Sequence, residues 1–354
     1  MDEAGPCFSF FLENDLRLSE GKERGLRAVS TERGIIAALA IDQRSALRKL
    51  FSKATGQAAE NIPNESLIQF KEAVSRILTP HASSILLDPE VGLPAAAQRS
   101  KSAGLLLAYE KTGYDKAVPG RLPSLLDGFS VNRLKSAGAD CIKILLYYSP
   151  FSAARINSIK QAWVERIGAE CAAVDVPFFL ELVSYHDELS EKGIDFARIK
   201  PEAVTRSLQE FSAPVYQVDV LKVGVPVNMA FVEGPRVPKL DALYSRKEAR
   251  AHFRRASDAS SLPFIYLSEG VSNETFEDTL TLAAEAGSGF SGVLCGRATW
   301  QDGVPAFVSG GLPALEEWLA EDGIRNIRKV NSLLEAAHSW REKFSAISHR
   351  AGKV

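Results

Sequence analysis

The chain contains 354 residues with a mass of 38.5 kDa, of which 45% are hydrophobic and 24% charged. These values are ordinary for a folded globular protein and exclude a disordered or fibrous one. The 42 Lys and Arg residues nearly balance the 44 Asp and Glu residues, which gives a net charge of -2. No overall positive field therefore favours nucleic acid or an anionic membrane as a partner.

The N-terminal segment does not have the pattern of an export signal. Acidic residues stand where basic ones are needed, and the apolar run FSFF is too short for the central region of a signal. No stretch approaches the roughly 18 to 20 apolar residues of a membrane span. We expect a soluble chain in the cytoplasm.

The cysteines agree with a reducing compartment. Cys7, Cys141, Cys171 and Cys295 lie far apart and form no CxxC pair. Cys141 and Cys295 fall within apolar, strand-like runs, where buried free thiols are common.

Eight short apolar runs, rich in Val, Ile, Leu and aromatic residues, are each followed by a polar or Gly-rich turn. They predict strands over 35–42, 83–88, 104–110, 139–148, 177–185, 218–226, 263–268 and 290–298. Nearly continuous apolar strands are typical of a parallel sheet covered by helices.

Helix-like segments alternate with these strands. The pattern predicts helices over 65–78, 154–174, 201–211, 246–259 and 272–287, with closing helices over 313–320 and 326–344. The alternation favours an α/β fold of the (β/α)8 TIM barrel type over an open doubly wound sheet. No Pro- or Gly-rich linker divides it, so we predict one domain over 35–354 with C-terminal helices, preceded by an N-terminal extension and leading helix over 1–34.

In four of the predicted strands, ionisable residues stand at positions where burial should forbid them. Asp42 closes the first strand, and Lys143, Glu181 and Lys222 lie within the fourth, fifth and sixth. Unpaired buried charges are costly, so these groups either form a structural ion-pair layer or serve chemistry. Because side chains alternate along a strand, the three inner groups can all point into the barrel near its mouth. That convergence favours chemistry.

Two lysines and a carboxylate are the parts of a Schiff-base centre. Burial and a second nearby ammonium favour loss of a proton from a lysine, whose neutral amine attacks a ketone or aldehyde. A carboxylate then moves protons to and from the carbinolamine. The candidates are Lys222, Lys143 and Glu181, with Asp42, Gln43 and Arg44 as further polar partners.

The histidines give no sign of a metal site. His81, His186, His252, His338 and His349 are scattered, with no HxH or HExxH pattern. His186, which follows the fifth predicted strand, is the one that can approach the mouth. We predict no metal and no cofactor.

The last two strands end in segments typical of a phosphate site. YLSEGVS (266–272) leads into a helix whose N-terminus can bind an anion, and CGRATW (295–300) adds an arginine. Barrels commonly bind phosphate at this position, although the same residues also suit helix caps and turns. The candidate ligands are Ser268, Gly270, Ser272, Gly296 and Arg297.

Eight strings of the sequence resemble the tagatose 1,6-bisphosphate aldolase family, in the wider group of Schiff-base (class I) aldolases. They are ALAIDQR, SSILLDPEVGLPAA, LLLAYEKTGYD, IKILLYY, FFLELVSY, VDVLKVGVPVNMAFVEG, IYLSEGVS and GVLCGRATW, between about Ile35 and about Val308. The resemblance implies metal-independent cleavage of tagatose 1,6-bisphosphate in lactose catabolism. The products are dihydroxyacetone phosphate and glyceraldehyde 3-phosphate.

The resemblance also implies roles for individual residues. Lys222 forms the Schiff base and Glu181 is the principal acid and base, while Lys143, Asp42 and Gln43 complete the polar centre. Ser268 and Arg297 bind the phosphate on the ketone side. Arg44 is the candidate for the second phosphate.

Two positions depart from the family pattern. Glu269 stands where a small residue is expected, and Gly224 stands where an acidic residue is usual. An inward-pointing Glu269 would weaken anion binding. These departures are compatible with a different sugar phosphate as substrate. One alternative is an aldolase acting on a sulfonated ketose phosphate (sulfofructose 1-phosphate type), because sulfonate and phosphate need similar cationic pockets. Another is a non-catalytic sugar-phosphate sensor, against which the presence of Lys222, Glu181 and Lys143 together argues. Apolar outer helices are compatible with a homo-oligomer.

Overall fold

Eight parallel strands close into a barrel in chain order, with β1 paired to β8. The structure is a computed structural model that describes residues 18–115, 117–234 and 237–344. The strands are β1 Ile36–Ala40, β2 Ser84–Leu87, β3 Gly104–Ala108, β4 Cys141–Tyr148, β5 Phe178–Ser184, β6 Val220–Val223, β7 Phe264–Leu267 and β8 Gly292–Cys295. All eight predicted strands and the TIM-barrel fold are confirmed.

Helices cover the outside of the barrel and follow each strand. They are α1 Glu20–Ala28, α2 Ser45–Thr55, α3 Asn64–Leu78, α4 Leu93–Ala97, α5 Val131–Ser136, α6 Ala154–Val174, α7 Ile194–Phe211, α8 Arg246–Asp258, α9 Asn273–Glu285, α10 Arg297–Trp300, α11 Gly303–Trp318 and α12 Ile324–Leu333. Among the described helices, none has the length and apolar character needed to cross a membrane.

Helix α7 begins at Ile194, well before the predicted start at residue 201. Pro201 lies inside it, where a proline has no N–H to offer the carbonyl one turn earlier. That carbonyl belongs to Ala197, and it accepts a hydrogen bond from the Tyr244 hydroxyl at 3.2 Å. A side chain distant in sequence thus replaces the missing backbone bond, which local sequence patterns do not reveal.

The predicted continuous helix over 326–344 is wrong. Helix α12 ends at Leu333, and a short 3-10 turn over Leu334–Ala336 and an extended Ala337 follow it. Beyond this break the Trp340 backbone N–H donates to Gly34 O at 3.1 Å. The break therefore returns the chain to the segment that precedes β1.

The lower part of the barrel interior is apolar. Its side chains alternate with outward-facing ones along each strand and form a single buried cluster with the leading helix and the C-terminal segment. The cluster comprises Leu26, Val29, Ile36, Ala38, Ala40, Leu86, Leu106, Ala108, Cys141, Phe179, Val220, Ile265, Leu294 and Trp340. Gly104, at the start of β3, packs directly on the Ala28 carbonyl, so this apolar floor lies at the amino ends of the strands.

Three of the four cysteines fall within the described residues. Cys141, Cys171 and Cys295 are buried and free, as expected for Cys141 and Cys295. Cys7 lies outside the described residues.

Candidate active site

The carboxyl ends of the strands bring a layer of buried charges together above the apolar floor. The Lys143 ammonium is fully buried and contacts three carboxylates. Its Nζ atom lies 3.0 Å from Asp42 Oδ2, 2.8 Å from Glu110 Oε1 and 2.7 Å from Glu181 Oε2. One cation therefore holds acidic groups from three other parts of the barrel.

Strand register explains why Lys222 joins this layer. Glu181 on β5 is paired with Lys222 on β6, and both point inward. Glu181 Oε2 lies 2.9 Å from Lys222 Nζ, so the same oxygen contacts both ammonium groups.

Burial opposes ionisation of all three carboxyl groups, but the balance differs between them. For Asp42 and Glu181, the charges of Lys143 and Lys222 outweigh burial and lower the pKa of each acid. For Glu110, burial dominates and the pKa is raised. Burial also opposes the charge on Lys143, yet the surrounding carboxylates raise the pKa of Lys143 well above its usual value.

The two lysines therefore differ in chemical character. Lys143 is held as an ammonium by three carboxylates, whereas among the described residues one carboxylate, Glu181, contacts Lys222. The sequence predicts that the positive charge of Lys143 repels the Lys222 ammonium and so activates Lys222. That prediction leaves out these carboxylates, which offset the charge of Lys143. Glu181, in contact with Lys222 Nζ, can accept the proton that this amine must lose to act as a nucleophile.

Glu110 belongs to this centre but was not among the predicted site residues. It is buried and contacts Lys143 directly. The signal was present in the alternation of β3, because Leu106, Ala108 and Glu110 are spaced two residues apart and share the inward face.

A cavity of about 650 Å³ opens above the charged layer, a size suited to a small ligand. Its lining includes Asp42, Gln43, Arg44, Glu110, Arg121, Tyr147, Glu181, Lys200, Glu269, Gly270 and Arg297. We call it the mouth cavity. His186 is not part of this lining, and its Nδ1 accepts the backbone N–H of Glu188.

Gln43 and Arg44 extend the centre on the β1 side. Gln43 Nε2 donates to Asp42 Oδ1 at 3.1 Å, which orients that carboxylate. The Arg44 guanidinium already has two partners within the protein. Its Nη1 pairs with Glu90, and its Nη2 donates to Glu110 O at 2.8 Å. Its guanidinium is a support for the loops at the mouth more than a free anion ligand.

The predicted phosphate ligands meet between β7 and β8. Gly270 has a φ of 74°, and a Cβ built on it would stand 2.5 Å from the Arg297 guanidinium carbon. Within the described part of the chain, no hydrogen bond or ion pair engages that guanidinium. A free guanidinium packed against half-buried glycine backbone is suited to an anion.

The other predicted ligands have different positions. A Cβ on Gly296 would stand 2.9 Å from Ala40 O, so this glycine permits close approach of β8 to β1. Ser268 is buried and lines a neighbouring cavity instead of the mouth cavity. The Ser272 hydroxyl caps α9 by accepting the Thr275 N–H at 3.3 Å.

Glu269 forms an ion pair with Lys200. Its Oε2 lies 2.6 Å from Lys200 Nζ, and its Oε1 occupies the space that a Cβ on Gly224 would need. The two departures from the family pattern are thus in contact with each other. The carboxylate is neutralised by Lys200, which removes the expected conflict with anion binding.

Groups of three or more His, Cys, Asp or Glu side chains arranged to hold a metal ion are absent from residues 18–115, 117–234 and 237–344. The buried acids of the mouth cavity surround an ammonium group instead.

A parallel (β/α)8 barrel with a lysine and carboxylate centre at its carboxyl end has the architecture of a carbon–carbon lyase. The chain belongs to the DeoC/LacD aldolase family, whose model matches residues 36–302.

Two relatives named for the same activity match nearly the whole chain. Tagatose 1,6-diphosphate aldolase 2 of Enterococcus faecalis is 52% identical over 331 residues, covering 93% of this chain and 98% of that protein. Tagatose 1,6-diphosphate aldolase of Listeria monocytogenes is 48% identical over 333 residues, covering 94% of this chain and 97% of that protein.

A more distant solved structure has the same fold. It is a Schiff-base-forming fructose-1,6-bisphosphate aldolase with a TM-score of 0.54 and 15% identity, covering 88% of this chain and 98% of that one.

Proposed function

We propose that this chain reversibly cleaves tagatose 1,6-bisphosphate into dihydroxyacetone phosphate and glyceraldehyde 3-phosphate, through a Schiff base on Lys222. The names of the relatives support the substrate. The observation that carries the mechanism is the unequal partnering of the two buried lysines, with three carboxylates around Lys143 and one beside Lys222.

The first step is attack of the Lys222 amine on the C2 ketone. The amine must lose a proton, and Glu181 Oε2 is the acceptor in contact at 2.9 Å. The resulting carbinolamine takes a proton back and loses water to give an iminium ion. Lys143 stays positively charged beside Glu181 and limits the build-up of negative charge during these transfers.

The iminium then accepts the electron pair of the C3–C4 bond and becomes an enamine. The C4 hydroxyl gives up its proton to Glu181, directly or through Asp42, and glyceraldehyde 3-phosphate leaves. Protonation of the enamine at C3 restores an iminium, and water hydrolyses it to dihydroxyacetone phosphate and free Lys222. All these groups lie in one buried layer, each in contact with the next, and this positioning favours the succession of proton transfers.

No metal is needed in this scheme. The iminium supplies the electron sink, and the Lys143 ammonium already occupies the centre of the three carboxylates. The phosphate on the ketone side is held near Gly270 and Arg297. We infer a cytoplasmic enzyme, because phosphorylated sugars are intracellular metabolites.

Borohydride trapping tests the proposal. The protein is incubated with dihydroxyacetone phosphate and borohydride in EDTA, and the adduct is located by intact-mass measurement and peptide mapping. We expect one adduct per chain, on Lys222, together with EDTA-resistant cleavage of tagatose 1,6-bisphosphate. Lys222→Met should abolish the adduct, while Lys49→Met, at an exposed site on α2, should leave it unchanged. An adduct on Lys143, or turnover that survives in Lys222→Met, would overturn the mechanism.

A further inference from the structure

A glutamate just beyond the carboxyl end of β7 lines the mouth cavity. Ile265 belongs to the apolar floor, while Leu267 and Glu269 line the cavity, so these three residues, spaced two apart, share the inward face. Glu269 has a φ of 50°, in the left-handed region that residues other than glycine seldom occupy outside functional sites. Its side chain is 30% exposed, so the carboxylate is open to a ligand.

The Glu269 carboxylate lies on the mouth side of Lys222. On β6, Val220 belongs to the apolar floor and Lys222 to the charged layer, and Gly224 follows at the same spacing. A Cβ built on Gly224 would stand 2.3 Å from Glu269 Oε1, so that oxygen fills the space which a side chain at 224 would take. A ligand bonded to Lys222 Nζ extends from the charged layer into this part of the cavity.

The two oxygens of Glu269 have different surroundings. Oε2 lies 2.6 Å from Nζ of Lys200, a buried lysine on α7, which fixes the carboxylate and balances its charge. Within the described part of the chain, no hydrogen bond or ion pair engages Oε1, and none joins Glu269 to Lys222. Glu269 therefore does not share the role of Glu181 as proton acceptor. Because a carboxylate oxygen only accepts hydrogen bonds, Oε1 is available to a donor on a ligand.

The ketone half of the substrate offers one hydroxyl at this place. C1 carries the phosphate held near Gly270 and Arg297, C2 is bonded to Lys222, and C3 carries a free hydroxyl. Glu269 directly precedes Gly270 in the chain, and its carboxylate lies against Gly224, two residues beyond Lys222. It is thus close to the positions of both C1 and C2, and the C3 hydroxyl is the donor of this half that it can bind.

We propose that Glu269 binds the hydroxyl on C3 of the ketose, with Oε1 as the acceptor and Lys200 holding the carboxylate in place. The proposal rests on the function proposed above and adds a residue that determines specificity, since Glu269 selects ketone phosphates with a hydroxyl next to the carbonyl. It also accounts for the two departures from the family pattern together. The acid usual at position 224 is replaced by one that enters the same space from the end of β7.

A competition between two ketones tests this role. Dihydroxyacetone phosphate has the hydroxyl in question, and hydroxyacetone phosphate has a hydrogen in its place. The protein is incubated with an equimolar mixture of the two and borohydride. Intact-mass measurement separates the two adducts on Lys222, because they differ by one oxygen atom. The ratio of the dihydroxyacetone phosphate adduct to the hydroxyacetone phosphate adduct in wild type is the reference.

Glu269→Ala should lower this ratio on the order of tenfold, because a hydrogen bond to a charged acceptor is lost. Glu269→Gln keeps the size of the side chain and a neutral acceptor, and its ratio should fall less. Both ketones carry the same phosphate, so the changed charge beside Lys200 affects them alike and cancels in the ratio. Glu316→Gln, at an exposed ion pair with Arg76, is the control and should keep the wild-type ratio. A wild-type ratio in Glu269→Ala, or in Glu269→Gln if the alanine variant does not fold, would overturn the proposal.

Position 224 offers a rescue variant. The φ of Gly224 is not in the left-handed region, so its backbone accepts a side chain once Glu269 is truncated. Gly224→Glu combined with Glu269→Ala supplies a carboxylate to the same space from β6, and we expect it to recover most of the ratio lost in Glu269→Ala. A ratio as low as in Glu269→Ala would show that a carboxylate in this space does not select the hydroxyl, and the proposal would be wrong.

The same experiment separates this proposal from the function on which it rests. Absence of both adducts in wild type would contradict the Schiff-base function. Adducts of both ketones on Lys222, in a ratio that the Glu269 variants leave unchanged, would contradict the role of Glu269 alone.

Discussion

Glu181 and Lys222 are paired in the register of β5 and β6, and Glu181 Oε2 lies 2.9 Å from Lys222 Nζ. Neighbouring strands thus set the distance between nucleophile and base. This contact is the shortest route for a proton leaving the Lys222 ammonium.

Replacing Glu181 by Gln should remove the proton acceptor while keeping the shape of the site. We expect kcat to fall by about 10²–10⁴-fold, the usual contribution of a general base or acid. The rate of borohydride trapping on Lys222 should fall as well, since formation of the carbinolamine needs the same proton transfers. Glu202→Gln, at an exposed ion pair on α7, is the control. A trapping rate equal to wild type would exclude Glu181 from the first half of the reaction.

Replacing Lys143 by Met should destabilise the fold, because three buried carboxylates lose their shared cation. Breaking a buried ion pair on one side typically costs about 3–5 kcal/mol. Urea denaturation would measure the change in free energy of unfolding. Adding Glu110→Gln to Lys143→Met should recover part of the loss, since it removes one unpaired acid. If the double variant is no more stable than Lys143→Met, the buried Glu110 side chain does not need Lys143 to neutralise its charge.

Gly270→Ala should impair the phosphate site beside Arg297. The new Cβ would stand 2.5 Å from the guanidinium carbon, and the φ of 74° is also unfavourable for alanine. We expect KM for the substrate to rise on the order of tenfold, as Arg297 is displaced from the anion. Gly56→Ala is a matched control, since Gly56 has a φ of 72° but no atom within 4 Å of its Cβ position. Equal kinetic effects in both variants would mean that backbone strain alone, and not displacement of Arg297, causes the change in KM.

Gly224→Ala and Glu269→Ala should show strongly non-additive effects on stability. A Cβ at 224 occupies the space of Glu269 Oε1, so it must move that carboxylate away from Lys200. Because the displaced atom ends a flexible side chain, we expect each single change to cost only about 1 kcal/mol. The double variant should be little worse than either single one. Strictly additive losses in thermal unfolding would show that the two residues do not share this contact in solution.

Lys160 on α6 should make stability depend on pH. It is fully buried, its Nζ lies 2.9 Å from the Tyr185 hydroxyl, and burial, aided by Arg121, lowers the pKa of Lys160 to about 7. Unfolded lysine keeps its proton up to a pKa of 10.5. The unfolded state thus binds more protons between these values, and this residue's contribution to stability rises with pH across that window.

Lys160→Met removes this titration. Wild type should gain stability relative to Lys160→Met between about pH 7 and about pH 10.5, as seen in the difference between their unfolding free energies. Lys49→Met, at an exposed site, is the control. A difference between wild type and Lys160→Met that stays constant with pH would contradict the depressed pKa.

The sequence predicts much of the barrel because buried parallel strands are nearly continuous apolar runs. Within such runs, inward charges stand out, and Lys143, Glu181 and Lys222 were found in this way. Glu110 lies two residues beyond Ala108, the last residue of β3, and the sequence does not show that the inward alternation continues past the end of the strand. Contacts between distant segments leave no local pattern, which is why the Tyr244 support of α7 and the break after α12 were not predicted.

The orientation of side chains beyond the strands was also not predictable. Arg44 and Arg121 both follow barrel strands at some distance, and composition does not show that Glu90 engages the first while tyrosine rings surround the second. Likewise, Glu269 next to a Gly-rich turn suggests a conflict with an anion until its contact with Lys200 is known.

The apolar floor also determines where the ends of the described chain lie. Leu18 and Phe344 both pack against the cluster that contains Leu26 and Trp340, at the pole opposite the mouth cavity. Attachment of the enzyme to a solid support through this pole would leave the cavity facing the solution. A circularly permuted form of residues 18–344, joined between Leu18 and Phe344 and reopened in an outer loop, would likewise keep all the groups of the charged layer in their strands.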